Sequence, residues 1–161
     1  MRYSYSFSDM KNYNKPSSIS YQIIHRKGEQ NQTERFSVDF IINNASLIKS
    51  LKAQNKHLMG RFVMGFTAEN IKSKDIFLLK DEADLDNGRT MLYICPECGD
   101  IGCGAITVKI SKKEGFYIWE NFTYENNYDD DMTDEESYQY LGPFYFIETE
   151  YVNAITQAAG I

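Results

Sequence analysis

The stretch that decides the fold is TMLYICPECGDIGCGAITVKI, Thr90–Ile110. Two runs rich in β-branched and aromatic residues, Thr90–Ile94 and Ala105–Ile110, flank the turn Cys95–Gly104. Strand formers joined by glycine and proline predict two paired antiparallel strands. A second turn at Lys112–Gly115 and a further run, Phe116–Tyr124, extend the pattern, so residues 89–124 are expected as a three-stranded meander. The first turn holds all three cysteines of the chain and three of its ten glycines. Thiols that dense in one turn point to metal, redox or tight-turn chemistry.

Working outward, Ser17–Arg26 and Arg35–Ile42 alternate apolar and polar residues, with Ile19, Tyr21 and Ile23 on one side and Phe36, Val38, Phe40 and Ile42 on the other. They predict an N-terminal hairpin across the polar link containing Gly28. Asn44 or Ser46 can cap a short helix reaching about Gln54, with Leu47, Ile48 and Leu51 at helical spacing. Leu58–Phe66 reads as a strand with irregular ends, and Ala68–Leu79 fits either a short helix or a strand. After Gly142-Pro143 comes a last strand, Phe144–Ile147, then a C-terminal helix capped by Thr149. The expected fold class is α+β: a mostly antiparallel sheet with two short helices in a single domain, residues 1–161.

Composition narrows the function. The chain is 42% apolar and 14% aromatic, as in a globular protein. No apolar run approaches the ~20 residues that span a bilayer, and Met1–Lys15 lacks the apolar core of a signal peptide. An odd cysteine count suits a reducing compartment, so a cytoplasmic protein without a disulfide framework is expected. The net charge of −6 is unevenly spread: residues 1–80 carry 13 Lys/Arg against 6 Asp/Glu, residues 81–161 carry 4 against 17. An acidic half disfavours nucleic acid as a partner and favours a basic protein. Glu125–Ser137 holds seven acidic residues and no basic one, and is expected as an exposed loop off the core.

Three chemistries compete for the cysteine turn. Cys95-x2-Cys98 has zinc-knuckle spacing and Cys103 is a third thiolate, with Asp100, His25 or His57 left as fourth ligand. A Cys-x-x-Cys pair also fits thiol–disulfide chemistry. The simplest alternative is packing: cysteines as small buried hydrophobes, Gly99, Gly102 and Gly104 supplying positive φ, Pro96 fixing the strand exit and Asp100 bonding to its own turn. His25 and His57 lie in no recognisable nucleophile–base pattern, and no phosphate-binding glycine loop is present. In the acidic segment, Asp129, Asp130, Asp131, Asp134, Glu135 and Glu136 are interleaved with Tyr128 and Tyr138. Aromatic anchors among carboxylates suit a surface that steers in and holds a basic partner.

The motif Cys-Pro-x-Cys-Gly-Asp-x-Gly-Cys-Gly, followed by Tyr117–Phe122 with its tryptophan and by Gly142–Phe146, resembles a bacterial family marked by this strand-turn-strand. The resemblance covers the C-terminal half and implies no activity and no catalytic residue. By profile rather than motif, the chain also resembles immunity proteins of bacterial toxin systems, including contact-dependent growth inhibition. That resemblance implies a non-enzymatic plug, without cofactor or membrane partner, that occludes a cognate and often basic nuclease toxin. The rivals are a zinc-binding domain or metalloenzyme using Cys95, Cys98 and Cys103, and a thiol oxidoreductase.

Overall fold

A computed structural model describes residues 15–53, 57–126 and 138–161. It is α+β and mostly sheet, as expected. The chain order is β1 (Ile19–Arg26), β2 (Arg35–Ile42), β3 (Ala45–Ser46), α1 (Leu47–Ser50), β4 (Met59–Gly60), α2 (Thr67–Phe77), β5 (Thr90–Ile94), β6 (Ala105–Lys113), β7 (Phe116–Glu125), β8 (Phe144–Ile147) and α3 (Glu148–Ala159). The strands form two antiparallel sheets, β1-β2-β3 and β4-β5-β6-β7-β8. Among the described residues, no helix is long and apolar enough to cross a membrane.

The N-terminal hairpin forms as expected, its register running from Ile19 opposite Ile42 to Arg26 opposite Arg35. Val38, Phe40 and Ile42 enter the core. The alternation is imperfect: Ile23 is 40% exposed whereas Ile24 packs on the core, and in β2 Phe36 stays outside the core cluster while Ser37 and Asp39 are buried. The expected three-stranded meander is the centre of a larger sheet, with β4 added along β5 and β8 along β7. Trp119 of β7 is fully buried at the middle of an aromatic cluster. Its ring meets Phe40, Phe77, Phe146 and Tyr151 edge to face at 5.2–6.0 Å, the arrangement that ring quadrupoles favour. Trp119 Nε1 donates to the Tyr151 hydroxyl, which donates to the Phe77 carbonyl, so both polar tips inside this cluster are satisfied.

Two expected elements differ from the outcome, and one open alternative is decided. The first helix ends at Ser50, not near Gln54, although Ser46 does cap it by accepting from Lys49 N. The C-terminal helix starts at Glu148, with no side-chain cap from Thr149. The ambiguous stretch 68–79 is α2, and its chemistry explains the ambiguity. Its buried positions include Asn70 and Ser73, which spend their polarity on neighbours. Asn70 bonds both the N–H and the carbonyl of Val63, and Ser73 accepts from Arg61 Nε. A helix whose buried face is polar shows no apolar periodicity.

Leu58–Phe66 is no continuous strand because it serves both sheets. Met59 and Gly60 pair with β5, and Arg61 N donates to Leu92 O. The next residues turn to β2: Val38 N donates to Phe62 O, and Met64 N to Phe36 O. The crossing is close. A Cβ on Gly60 would lie 1.7 Å from the Val38 carbonyl oxygen. Gly60→Ala is therefore expected to cost about 3 kcal/mol or more, the upper end of overpacking. Gly65→Ala meets open space at a φ of +87° and should cost only about 1–2 kcal/mol of backbone strain. Urea unfolding of the two variants checks the order; equal losses would mean that the crossing relaxes freely.

Candidate functional site

The cysteine turn is built by its own backbone and held by the other sheet. Gly99 N donates to Cys95 O, and Gly99 sits at φ +65°. Asp100 accepts from Gly102 N and so opens a 3₁₀ turn over Ile101–Cys103, the self-bonding expected of this residue. Gly104, at φ +88°, returns the chain to β6; a Cβ there would sit 2.1 Å from the Tyr124 hydroxyl oxygen.

The three sulfur atoms converge, all lying within 4.8 Å of one another. Cys98 Sγ is 2.7 Å from Cys103 Sγ. Cys95 is half-buried, while Cys98 and Cys103 are exposed. Exposure removes the main support for the packing alternative, which needs cysteine to act as a buried hydrophobe. Backbone donors also face the sulfurs. Asp100 N points at Cys98 Sγ. Burial works against a Cys95 thiolate, yet the N–H groups of Cys98 and Glu97, with the neighbouring thiols, hold its pKa below the usual thiol value. The neighbouring sulfurs, Cys98 first and then Cys95, push Cys103 up to about 12. Three thiols this close cannot all ionise without a cation among them.

Glu97, between the first two cysteines, clamps the turn to the tip of the β1–β2 hairpin. Its carboxylate accepts from Thr33 N at 3.0 Å, Thr33 Oγ1 at 2.8 Å and Arg26 Nη1 at 2.8 Å. Arg35 Nε donates to the neighbouring Pro96 carbonyl. This clamp escapes sequence reasoning: its only trace is one acidic residue inside the Cys-x-x-Cys pair. Beside the turn opens a cleft of about 380 Å³, lined by Cys95 and Cys98 and, among its apolar walls, by Met59, Val63, Met91 and Ile94.

Of the fourth ligands expected, none joins the sulfurs. Among the described residues the cluster contains only the three cysteines. Asp100 is bonded to its own turn. His25 stacks on Phe36 at 4.4 Å and meets Glu34.

The acidic segment fares differently at its two ends. Tyr128, Asp129, Asp130, Asp131, Asp134, Glu135 and Glu136 lie outside the described residues. Tyr138, expected on a partner-facing surface, is 7% exposed and belongs to the main core. Glu125, expected in an exposed loop, closes β7 and is buried. It accepts from Thr107 Oγ1 at 2.8 Å, lies 3.5 Å from Arg89 Nε and accepts from Asn87 Nδ2. A buried, paired cation makes a buried carboxylate tolerable, and a local count of charges could not reveal that partner 36 residues upstream. No family model, curated protein or solved structure matches the chain.

The clamp has a pH signature. Hydrogen bonds from Thr33, then Arg26, hold the Glu97 carboxyl down to about 2, against an ordinary 4.5. A folded-state pKa below the unfolded one stabilises the fold above pH 4.5, and that contribution fades as pH falls toward 2. NMR titration of the Glu97 side-chain carboxyl should give a midpoint near 2. In Glu97→Gln the thermal midpoint should depend less on pH across that window, and a Glu97 midpoint near 4.5 would mean the clamp is open in solution.

Proposed function

We propose that the cysteine turn is a thiolate metal centre that binds one soft divalent ion, zinc foremost. The convergence of three sulfur atoms within 4.8 Å carries this reading. A tetrahedral zinc with bonds of about 2.3 Å would set its sulfurs roughly 3.8 Å apart, within reach of small side-chain rotations. N–H groups aimed at the sulfurs support the charged thiolates that a metal requires. With three protein ligands, one position stays open to water or to a donor in the neighbouring cleft.

Zinc added to the reduced, metal-free protein should bind with one-to-one stoichiometry. Cobalt should give the thiolate charge-transfer absorption of a sulfur-rich site. Serine at Cys95, Cys98 or Cys103 should weaken affinity at least tenfold, and zinc at ~100 times its dissociation constant should stabilise the fold by about 2.7 kcal/mol. Binding that survives all three substitutions would place the metal elsewhere.

A second reading, a binding protein that neutralises a basic toxin such as a nuclease domain, draws on the acidic run. Both flanks of that run are fixed in the body, at Glu125 and at Tyr138. Carboxylates strung between two anchored ends suit electrostatic steering. Asp129, Asp130 and Asp131 replaced together by Asn should slow association with a basic partner captured from the native host several-fold and flatten its salt dependence. Unchanged kinetics would remove this run from the interface.

A further inference from the structure

Two of the three sulfurs are placed for chemistry of their own. Cys98 Sγ and Cys103 Sγ lie 2.7 Å apart, and both residues are exposed. The backbone between them is fixed by the Asp100 cap on Gly102 N and by the bond from Cys103 N to Asp100 O. Cys95 differs in being half-buried. An oxidant from solvent therefore reaches Cys98 and Cys103 first, and sulfurs already 2.7 Å apart need little motion to bond.

We propose that Cys98 and Cys103 are a peroxide-sensitive dithiol pair whose oxidation to a disulfide expels the metal ion from the turn. The metal half of this proposal rests on the thiolate-centre reading above. In the first step one thiolate attacks a peroxide oxygen; the O–O bond breaks, hydroxide leaves, and a sulfenic acid forms. The second thiolate then attacks that sulfur and displaces a second hydroxide, closing the S–S bond. Two sulfurs give up two electrons in total, hydrogen peroxide accepts them, and protons from solvent turn both hydroxides into water. A sulfur committed to a disulfide is no longer an anionic ligand. The ion would keep Cys95 alone, too few ligands to hold it.

The test uses the full chain in two forms, metal-free and zinc-loaded, each treated with a slight excess of hydrogen peroxide. The metal-free protein should lose the mass of two hydrogens. Cleavage after Glu97 and before Asp100 puts the three cysteines on three separate peptides, so the cross-link is read directly and should join Cys98 to Cys103. Cys95→Ser should retain this cross-link, and Cys103→Ser should lose it. From the loaded protein a chromogenic chelator should detect one zinc released per disulfide, and a thiol reductant should restore binding. A cross-link through Cys95, or addition of two oxygens without any cross-link, overturns the pair. Disulfide formation with zinc retained overturns the expulsion. A protein that forms the cross-link but never takes up zinc sinks the metal centre and the expulsion together, and leaves the dithiol pair standing.

Discussion

The close crossing of Gly60 over the Val38 carbonyl is the constraint on which the rest of the structure depends. Two sheets that share no strand must still bury one common core. Here a single segment, Met59–Met64, bonds first to β5 and then to β2. Only a residue without a Cβ lets the backbones approach so closely. Phe62, which follows the crossing, is fully buried and meets Phe40 of one sheet and Phe77 of α2. Arg61, between the two, turns the other way. It holds Asp84 through two bonds, at 2.5 and 2.9 Å, and also the Met91 carbonyl and Ser73. One segment thus sets the sheet-to-sheet distance, seats α2 and lines the cleft beside the cysteines.

Polar groups inside the body add specificity to this frame. Asp39 is fully buried, and four donors satisfy it: Ile48 N, Tyr93 Oη, Ser46 Oγ and Gln22 Nε2. Burial, and then the charge of Asp39, push the Tyr93 phenol well above its ordinary pKa, so it stays a donor. This carboxylate ties β2 to the start of α1 and to β5, across the two sheets. Removing one partner of such a network leaves a buried group unpaired, which costs more than the bond itself contributes. The turn clamped by Glu97 follows the same logic at the surface. Its sulfurs are preorganised by bonds to the opposite sheet, so a ligand need not supply the ordering energy.

What the sequence made legible follows what is local. The two hairpin strands, the meander around Cys95–Gly104, and the strand after Gly142-Pro143 all depend on neighbours within a few residues, and they stand where the pattern put them, though the apolar alternation of the hairpin does not hold throughout. The three cysteines were also legible as a group, because one short turn cannot keep them far apart. Illegible were the features whose partners lie far along the chain. Glu97 finds Arg26 and Thr33 some sixty to seventy residues upstream, Glu125 finds Arg89, and Asn70 takes a core position because Val63 offers it a donor and an acceptor. Charge counting read Glu125 as solvated and spacing read Tyr138 as exposed; pairing and packing put both inside.

The register of the larger sheet relates the two candidate surfaces. Ala105, the first residue after the cysteine turn, pairs with Glu125, the last residue of β7. The turn and the departure point of the acidic run therefore share one end of the sheet. Three thiolates around one zinc ion would leave a net charge of minus one, whereas in the empty reduced turn protons, not a metal ion, hold the charge of the sulfurs down. If a metal ion and a basic partner both use this end, each changes the field that the other meets. Loading the metal exchanges those protons for the ion, and by linkage any change it makes in affinity for the partner is matched by the same factor in affinity for the metal. A Cys98–Cys103 disulfide removes two ionisable thiols and the cation together, leaving Cys95 as the one free thiol of the turn. The three states therefore differ in proton and metal content more than in net charge. The carboxylates of the run that follows Glu125, rather than the sulfurs, dominate the charge that a basic partner would meet at this end.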